Sequence, residues 1–211
     1  MCGIWAYFYF KTLGSKKWSV DELKPYINKI QHRGPDNTVV CQLPVSEHVV
    51  FGFHRLAIID TSHDGDQPLS SDGVYLICNG EIYNYRELYS KYYFTPKGGS
   101  DCEVILHMYK TFGIEKTVRE LDGVFAFVLY DSNSNKIYAA RDPVGVRPLF
   151  VSQDAHGLFF CSEVKGIPDE RVSTQFEPGT YYVNDWNRYM SMSLQYKSYV
   201  PRDLIDRKSV V

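Results

Sequence analysis

The first ten residues, MCGIWAYFYF, are almost continuously apolar, and Lys11 ends the run. The pattern predicts a strand over 2–10. In SVDELKPYINKIQHRG, Ser19 and Glu22 have the spacing of a capping box. Leu23, Ile27 and Ile30 then form one apolar stripe at helical spacing, with Gly34 as the stop. Residues 48–59 and 73–78 read as strands, and 84–92 as a short helix. After a glycine-containing turn comes a second helix, with Ser100 and Glu103 as its box, Val104, Met108 and Phe112 as its stripe, and Gly113 closing it. GVFAFVLYD and KIYAARD flank the polar turn SNSN, and PLFVSQ and GLFFCSE flank DAHG, two hairpin signals. GVFAFVLY is apolar on both faces, so that strand should be covered on two sides. Continuous apolar runs usually belong to parallel sheets, whereas hairpins are antiparallel. Two stacked antiparallel sheets with helices outside reconcile these facts. The expectation is an α+β fold, a four-layer α/β/β/α sandwich. One domain is expected over 2–183. From Gly179 the chain turns more polar, and 184–211 is expected as a C-terminal tail or the start of a synthetase domain missing from the chain.

Composition narrows the function classes. Hydrophobic residues make up 44% and charged ones 23%, with 23 Lys and Arg against 25 Asp and Glu, a net charge of −2. No dense basic run marks a nucleic-acid surface. The five cysteines are scattered and odd in number, without a CxxC pair, which argues against a zinc site or disulfide framework and for a reducing compartment. No window approaches the ~18 apolar residues of a membrane span. The opening run also lacks the charged flank and cleavage site of an export signal. A cytoplasmic protein without metal, membrane or nucleic acid is expected.

Cys2 then has two readings, a packed small hydrophobe or a nucleophile. If Met1 is removed, the new α-amine, with an ordinary pKa of ~7.7–8.0, can serve as the thiol's base. No Cys–His dyad is then needed, and His54 reads as structural. The GGSD stretch lacks the GxxxxGK[ST] pattern of a phosphate loop and reads as a turn. Arg55 lies in an otherwise apolar strand, where an unpaired charge would be costly. Asp101 is favoured in the first turn of a helix whatever its function, and Asn79–Gly80 would also suit a plain turn after a strand.

Other motifs follow in order: RGPD (33–36), HRLAIID (54–60), QPL (67–69), NGEIYN (79–84), GSDCEV (99–104), LDGVFAF (121–127), RDPVGVRPLF (141–150) and SEVK (162–165). Together with CGI after Met1, they resemble the class II glutamine amidotransferase domain, and more narrowly the glutaminase domain of glutamine-dependent asparagine synthetases. The resemblance covers roughly residues 2–183. It implies hydrolysis of L-glutamine to glutamate and ammonia through a Cys2 thioester. Asn79 and Gly80 would form the oxyanion hole. Arg55 would take the substrate carboxylate and Asp101 its ammonium, with Glu81 nearby, while Leu56, Ala57, Ile58 and Ile59 would line the pocket with backbone. Arg33, Arg141, Asp142 and Arg147 are expected as supporting Arg–Asp pairs. The glutaminase step needs no cofactor. ATP and Mg belong to a synthetase domain, whose SGGxDS loop this sequence does not contain. The expected partner is therefore a separate synthetase domain or protein that receives ammonia, and a homo-oligomer is allowed. The alternative is a non-catalytic or partner-gated glutamine-binding scaffold of the same fold.

Overall fold

The computed structural model describes residues 1–12, 17–57, 65–183 and 185–190. Its described residues form two six-stranded antiparallel sheets stacked face to face. In the first sheet, β1 (Gly3–Tyr9) lies between β3 (Val49–Arg55) and β9 (Gly157–Cys161). β2 (Asn37–Gln42) forms one edge, and β8 (Phe150–Asp154) followed by β10 (Thr174–Gln175) forms the other. The second sheet runs β12 (Asp185–Arg188), β11 (Thr180–Val183), β7 (Lys136–Arg141), β6 (Gly123–Asp131), β5 (Val74–Ile82), β4 (Leu69–Ser71).

The apolar runs explain the stacking. In β1, Ile4, Ala6 and Phe8 point into the core between the sheets, while Trp5 and Tyr7 point outward onto α1 (Val20–Asn28) with Leu23, Ile27 and Ile30. In β6, Ala126 and Val128 face the other sheet. Phe125, Phe127 and Leu129 pack beneath α2 (Tyr85–Tyr92), α3 (Glu103–Phe112) and α4 (Ile114–Glu120). Each strand is thus covered on both sides, as the continuous apolar runs require, and the layers are helix, sheet, sheet, helix. Each large buried side chain contributes roughly 1.5–3 kcal/mol by leaving water.

Local signals agree in part. Ser19 and Glu22 make the capping box on α1: the Ser19 hydroxyl accepts from the Glu22 N–H, and the Glu22 carboxylate accepts from the Ser19 N–H at 2.9 Å. The helix stops at Asn28, and a 3-10 turn over Gln31–Arg33 leads to Gly34. A Cβ on Gly34 would lie 2.2 Å from the His54 carbonyl oxygen, so only glycine permits this approach. The second box does not form. α3 begins after Cys102 with no side-chain cap, and the Glu103 carboxylate instead accepts the N–H groups of Lys97 and Gly98. Asn79–Gly80 is not a turn either, because β5 continues through it to Ile82, with Asn79 opposite Ala126 and Gly80 opposite Phe125. β12 falls inside the stretch expected as a tail and pairs with β11.

Candidate active site

Cys2 stands at the head of β1, where three elements hold it. Arg33 Nε donates to the Cys2 carbonyl oxygen at 3.0 Å, and Arg33 Nη1 is paired to Glu163 Oε1 at 2.9 Å. On the next residues, Ser162 Oγ accepts the Ile4 N–H at 3.0 Å. The sulfur lies against Leu56, whose N–H points at Sγ from 3.4 Å and whose carbonyl oxygen is 3.6 Å away. Burial pushes the Cys2 thiol above its usual pKa, only partly offset by the Leu56 contact and the nearby chain terminus. A thiol in this state needs a local base to become a nucleophile.

Residues beyond β3 form one wall. Asp36 of the RGPD motif donates its N–H to the Arg55 carbonyl and accepts the Ala57 N–H on Oδ2 at 2.8 Å. Leu56 and Ala57 therefore face the cleft with a fixed backbone. Ile58 and Ile59 lie outside the described residues. His54 is structural, as its surroundings require: its ring contacts the Thr38 hydroxyl and the Ile27 carbonyl, both at 2.9 Å, and burial lowers its pKa.

The opposite wall is the outer edge of β5, where alternate residues project their N–H groups away from β6. The Cys78 N–H is taken by Gln67 Oε1 at 2.6 Å and the Ile82 N–H by Asp101 Oδ2 at 2.6 Å. The alternation of an extended strand puts the Gly80 N–H on that same edge, between two donors already engaged. A Cβ on Gly80 would come within 2.6 Å of the Val124 carbonyl oxygen, so the strand closes here only with glycine. Asn79 is 2% exposed, and its Nδ2 is buried without a hydrogen-bond acceptor among the described residues. A buried amide donor left unpaired costs about 1–3 kcal/mol, a penalty that an acceptor in the cleft would relieve.

One cleft gathers these groups. Met1, Cys2, Arg55, Leu56, Ala57, Asn79, Gly80, Glu81, Asp101 and Arg147 all line it. Burial raises the Asp101 carboxyl above its usual range, with the Ile82 N–H acting in the opposite direction. Arg55 is buried and paired through Nη1 with Asp66 Oδ1 at 2.7 Å, a partner that the sequence pattern did not point to.

The expected Arg–Asp pairs are corrected by this geometry. The Arg141 guanidinium donates to the carbonyls of Gly145, Arg147 and Phe176, and the Asp142 carboxylate accepts backbone N–H groups. Both therefore bind the 143–147 loop and not each other, and Arg33 pairs with a glutamate. Arg147, expected as support, reaches the cleft lining, and its Nε has no acceptor among the described residues.

A thiol, an amide donor without an acceptor among the described residues and an edge N–H line one cleft at the end of two stacked sheets, an arrangement suited to amide hydrolysis by a thiol. Residues 1–198 match the family model described as glutamine amidotransferase domain, and the chain belongs to that family. It is 43% identical over 197 residues to the asparagine synthetase [glutamine-hydrolyzing] of Gallus gallus and 41% identical over 197 residues to that of Homo sapiens. In both comparisons 88% of this chain is covered, and it spans about a third (34%) of the relative's length. Among solved structures, the fold matches glutamine phosphoribosylpyrophosphate amidotransferase of B. subtilis with a TM-score of 0.72 at 19% identity, over 90% of this chain and 49% of that one. A second match, the allosteric regulatory enzyme of purine biosynthesis, has a TM-score of 0.74 at 18% identity over the same shares. Among the described residues no helix is long and apolar enough to cross a membrane.

Proposed function

We propose that Cys2 hydrolyses the side-chain amide of L-glutamine and that the ammonia serves an asparagine-forming synthetase reaction in the cytosol. The observation that carries the catalytic reading is the unpaired Asn79 Nδ2 facing the same cleft as the Cys2 sulfur. With Met1 removed, the Cys2 α-amine takes the thiol proton and sulfur attacks the amide carbon. Asn79 Nδ2 and the Gly80 N–H receive the developing oxyanion. The C–N bond then breaks, the nitrogen takes the proton from the amine, and ammonia leaves. Water cleaves the thioester, releasing glutamate and restoring the thiol. Arg55 holds the substrate carboxylate, Asp101 with Glu81 its ammonium, and the backbone from Leu56 onward borders the aliphatic part. None of these steps calls on a cofactor. The asparagine synthetase relatives support the choice of acceptor, and a synthetase that activates aspartate would draw on ATP and Mg.

Asn79→Ala tests the oxyanion assignment. Removing one such donor lowers kcat about 10²–10³-fold, while KM for glutamine stays within a fewfold of wild type because the ground-state amide gains little from it. Steady-state glutamate release measures both, and an unchanged kcat would remove Asn79 from the mechanism.

Asp101 must be ionised to hold an ammonium. Its burial raises its pKa, so affinity is full above that pKa and lost as pH falls through it. KM for glutamine is therefore expected to climb on acidification, beginning above the pH at which an exposed aspartate titrates. Asp101→Asn should raise KM throughout and abolish that limb of the KM–pH profile. A limb that survives in Asp101→Asn belongs to another group.

A further inference from the structure

Two consecutive residues, Asp66 and Gln67, connect the two sheets across the cleft. Asp66 grips the first sheet: Oδ1 accepts from Arg55 Nη1 at 2.7 Å and Oδ2 from Asn37 Nδ2 at 2.8 Å. Asn37 and Arg55 are register partners on β2 and β3, so the acid is oriented by the strand beside the one it supports. Gln67 grips the second sheet. Its Oε1 accepts the Cys78 N–H at 2.6 Å and its Nε2 donates to the Cys78 carbonyl oxygen at 3.2 Å, immediately before Asn79. Arg55 belongs to the lining of the cleft, whereas Asp66 lines a neighbouring groove with Pro68, Leu69 and His107. The carboxylate thus reaches the guanidinium from outside the substrate's space.

We propose that Asp66 is a positioning residue for Arg55, and that the Asp66–Gln67 strap fixes the carboxylate-binding end of the cleft relative to its oxyanion end. The inference rests on the reading of this cleft as the glutamine site. A guanidinium is a planar fork, and its two donors must meet a carboxylate in one plane to bind it bidentately. A side chain with several rotatable bonds loses that geometry unless another group holds it. Asp66 holds Nη1 of the guanidinium and offsets its buried charge, and the proposed substrate carboxylate meets the same side chain from the cleft.

The test is glutamine binding, measured by isothermal titration on the full chain carrying Cys2→Ala, so that turnover does not intervene. Asp66→Asn should raise the dissociation constant about tenfold, the scale of one lost charged hydrogen bond. Asp66→Glu should recover most of that loss. In an Arg55→Ala background, which itself weakens binding, Asp66→Asn should add less than twofold, because there is no fork left to orient. Asn37→Ala, which leaves the ion pair intact and removes one bond that orients Asp66, should give a smaller loss in the same direction and serves if Asp66→Asn does not fold. Losses that multiply fully in the Arg55→Ala background would make Asp66 a general structural residue and overturn the proposal, as would wild-type affinity in both Asp66→Asn and Asn37→Ala. If Arg55→Ala itself binds glutamine normally, the assignment of the cleft fails and this proposal fails with it.

Discussion

Cys2→Ala is expected to eliminate glutamine hydrolysis while leaving the protein folded and able to bind glutamine. In the proposed mechanism the reacting bond forms at Sγ, and the other two thiols that border the cleft, Cys78 and Cys102, are buried in the core beneath the second sheet's helices. Loss of a nucleophile from a unit of this kind costs on the order of 10⁴–10⁶ in kcat. Stability should change little, within about 1 kcal/mol, because the sulfur's contacts to Leu56 are long and weak. The measurement is glutamate and ammonia release by protein whose intact mass shows Met1 gone, beside the variant, with calorimetric binding as a control for the pocket. Release that persists in Cys2→Ala would refute the thioester. Wild-type protein with a free Cys2 that binds glutamine but releases no ammonia would be a partner-gated subunit or a binding scaffold.

The largest stability effect should come from Asp142→Ala. Its carboxylate is fully buried and accepts the N–H groups of Phe125, Val144, Gly145, Val146 and Arg147 at 2.6–3.2 Å. Alanine leaves those donors without the acceptor that shaped the loop. Each buried unpaired donor costs about 1–3 kcal/mol, and water entering the vacated space would recover part of the sum. A loss of about 3–5 kcal/mol is expected, as for other broken buried charge networks. In a protein of this size that lowers Tm by roughly 6–20 °C. Asp142→Asn keeps one acceptor oxygen and should fall between wild type and alanine. Thermal unfolding followed by circular dichroism reads both, and a shift under about 2 °C in Asp142→Ala would show that the loop holds itself. Because Arg147 stands at the end of this loop and lines the cleft, activity should fall with the fold.

The layering was legible because β1 and β6 carry large apolar residues on both faces, which a one-sided sheet cannot use. The capping box of α1 was legible for the same local reason: both partners are three residues apart. What escaped is non-local. β2 is a half-buried edge strand whose central valines are flanked by polar residues, and β4 is only three residues long. Glu103 has the spacing of a box, but the loop at 97–98 offers its carboxylate two N–H groups at short range. Asn79–Gly80 looks like a turn because the sequence does not show that β6 approaches too closely for any side chain at position 80. Of the cleft residues, Cys2, Arg55, Asn79, Gly80, Glu81 and Asp101 do meet in space, although the first and the last are 99 positions apart in the chain. Their motifs supplied the list, and the folding of two sheets supplied the meeting. Asp66 carries no motif of its own, since its meaning comes from a loop that bends it onto Arg55.

The Cys2 sulfur belongs to one sheet and the proposed oxyanion donors Asn79 and Gly80 to the other, so the layer between them acts as a gauge block. Ala6 on β1 and Ala126 on β6 are fully buried in that layer, and Ala126 is the register partner of Asn79. Both are small residues in the layer that separates the two halves of the cleft. A methyl group added at Ala126 would press on the Asn79 side chain directly opposite it, and one added at either alanine must be accommodated by the layer that spaces the sheets. On the proposed mechanism, overpacking this interior would be expected to cost rate as well as stability, because the same layer spaces the thiol from the oxyanion donors.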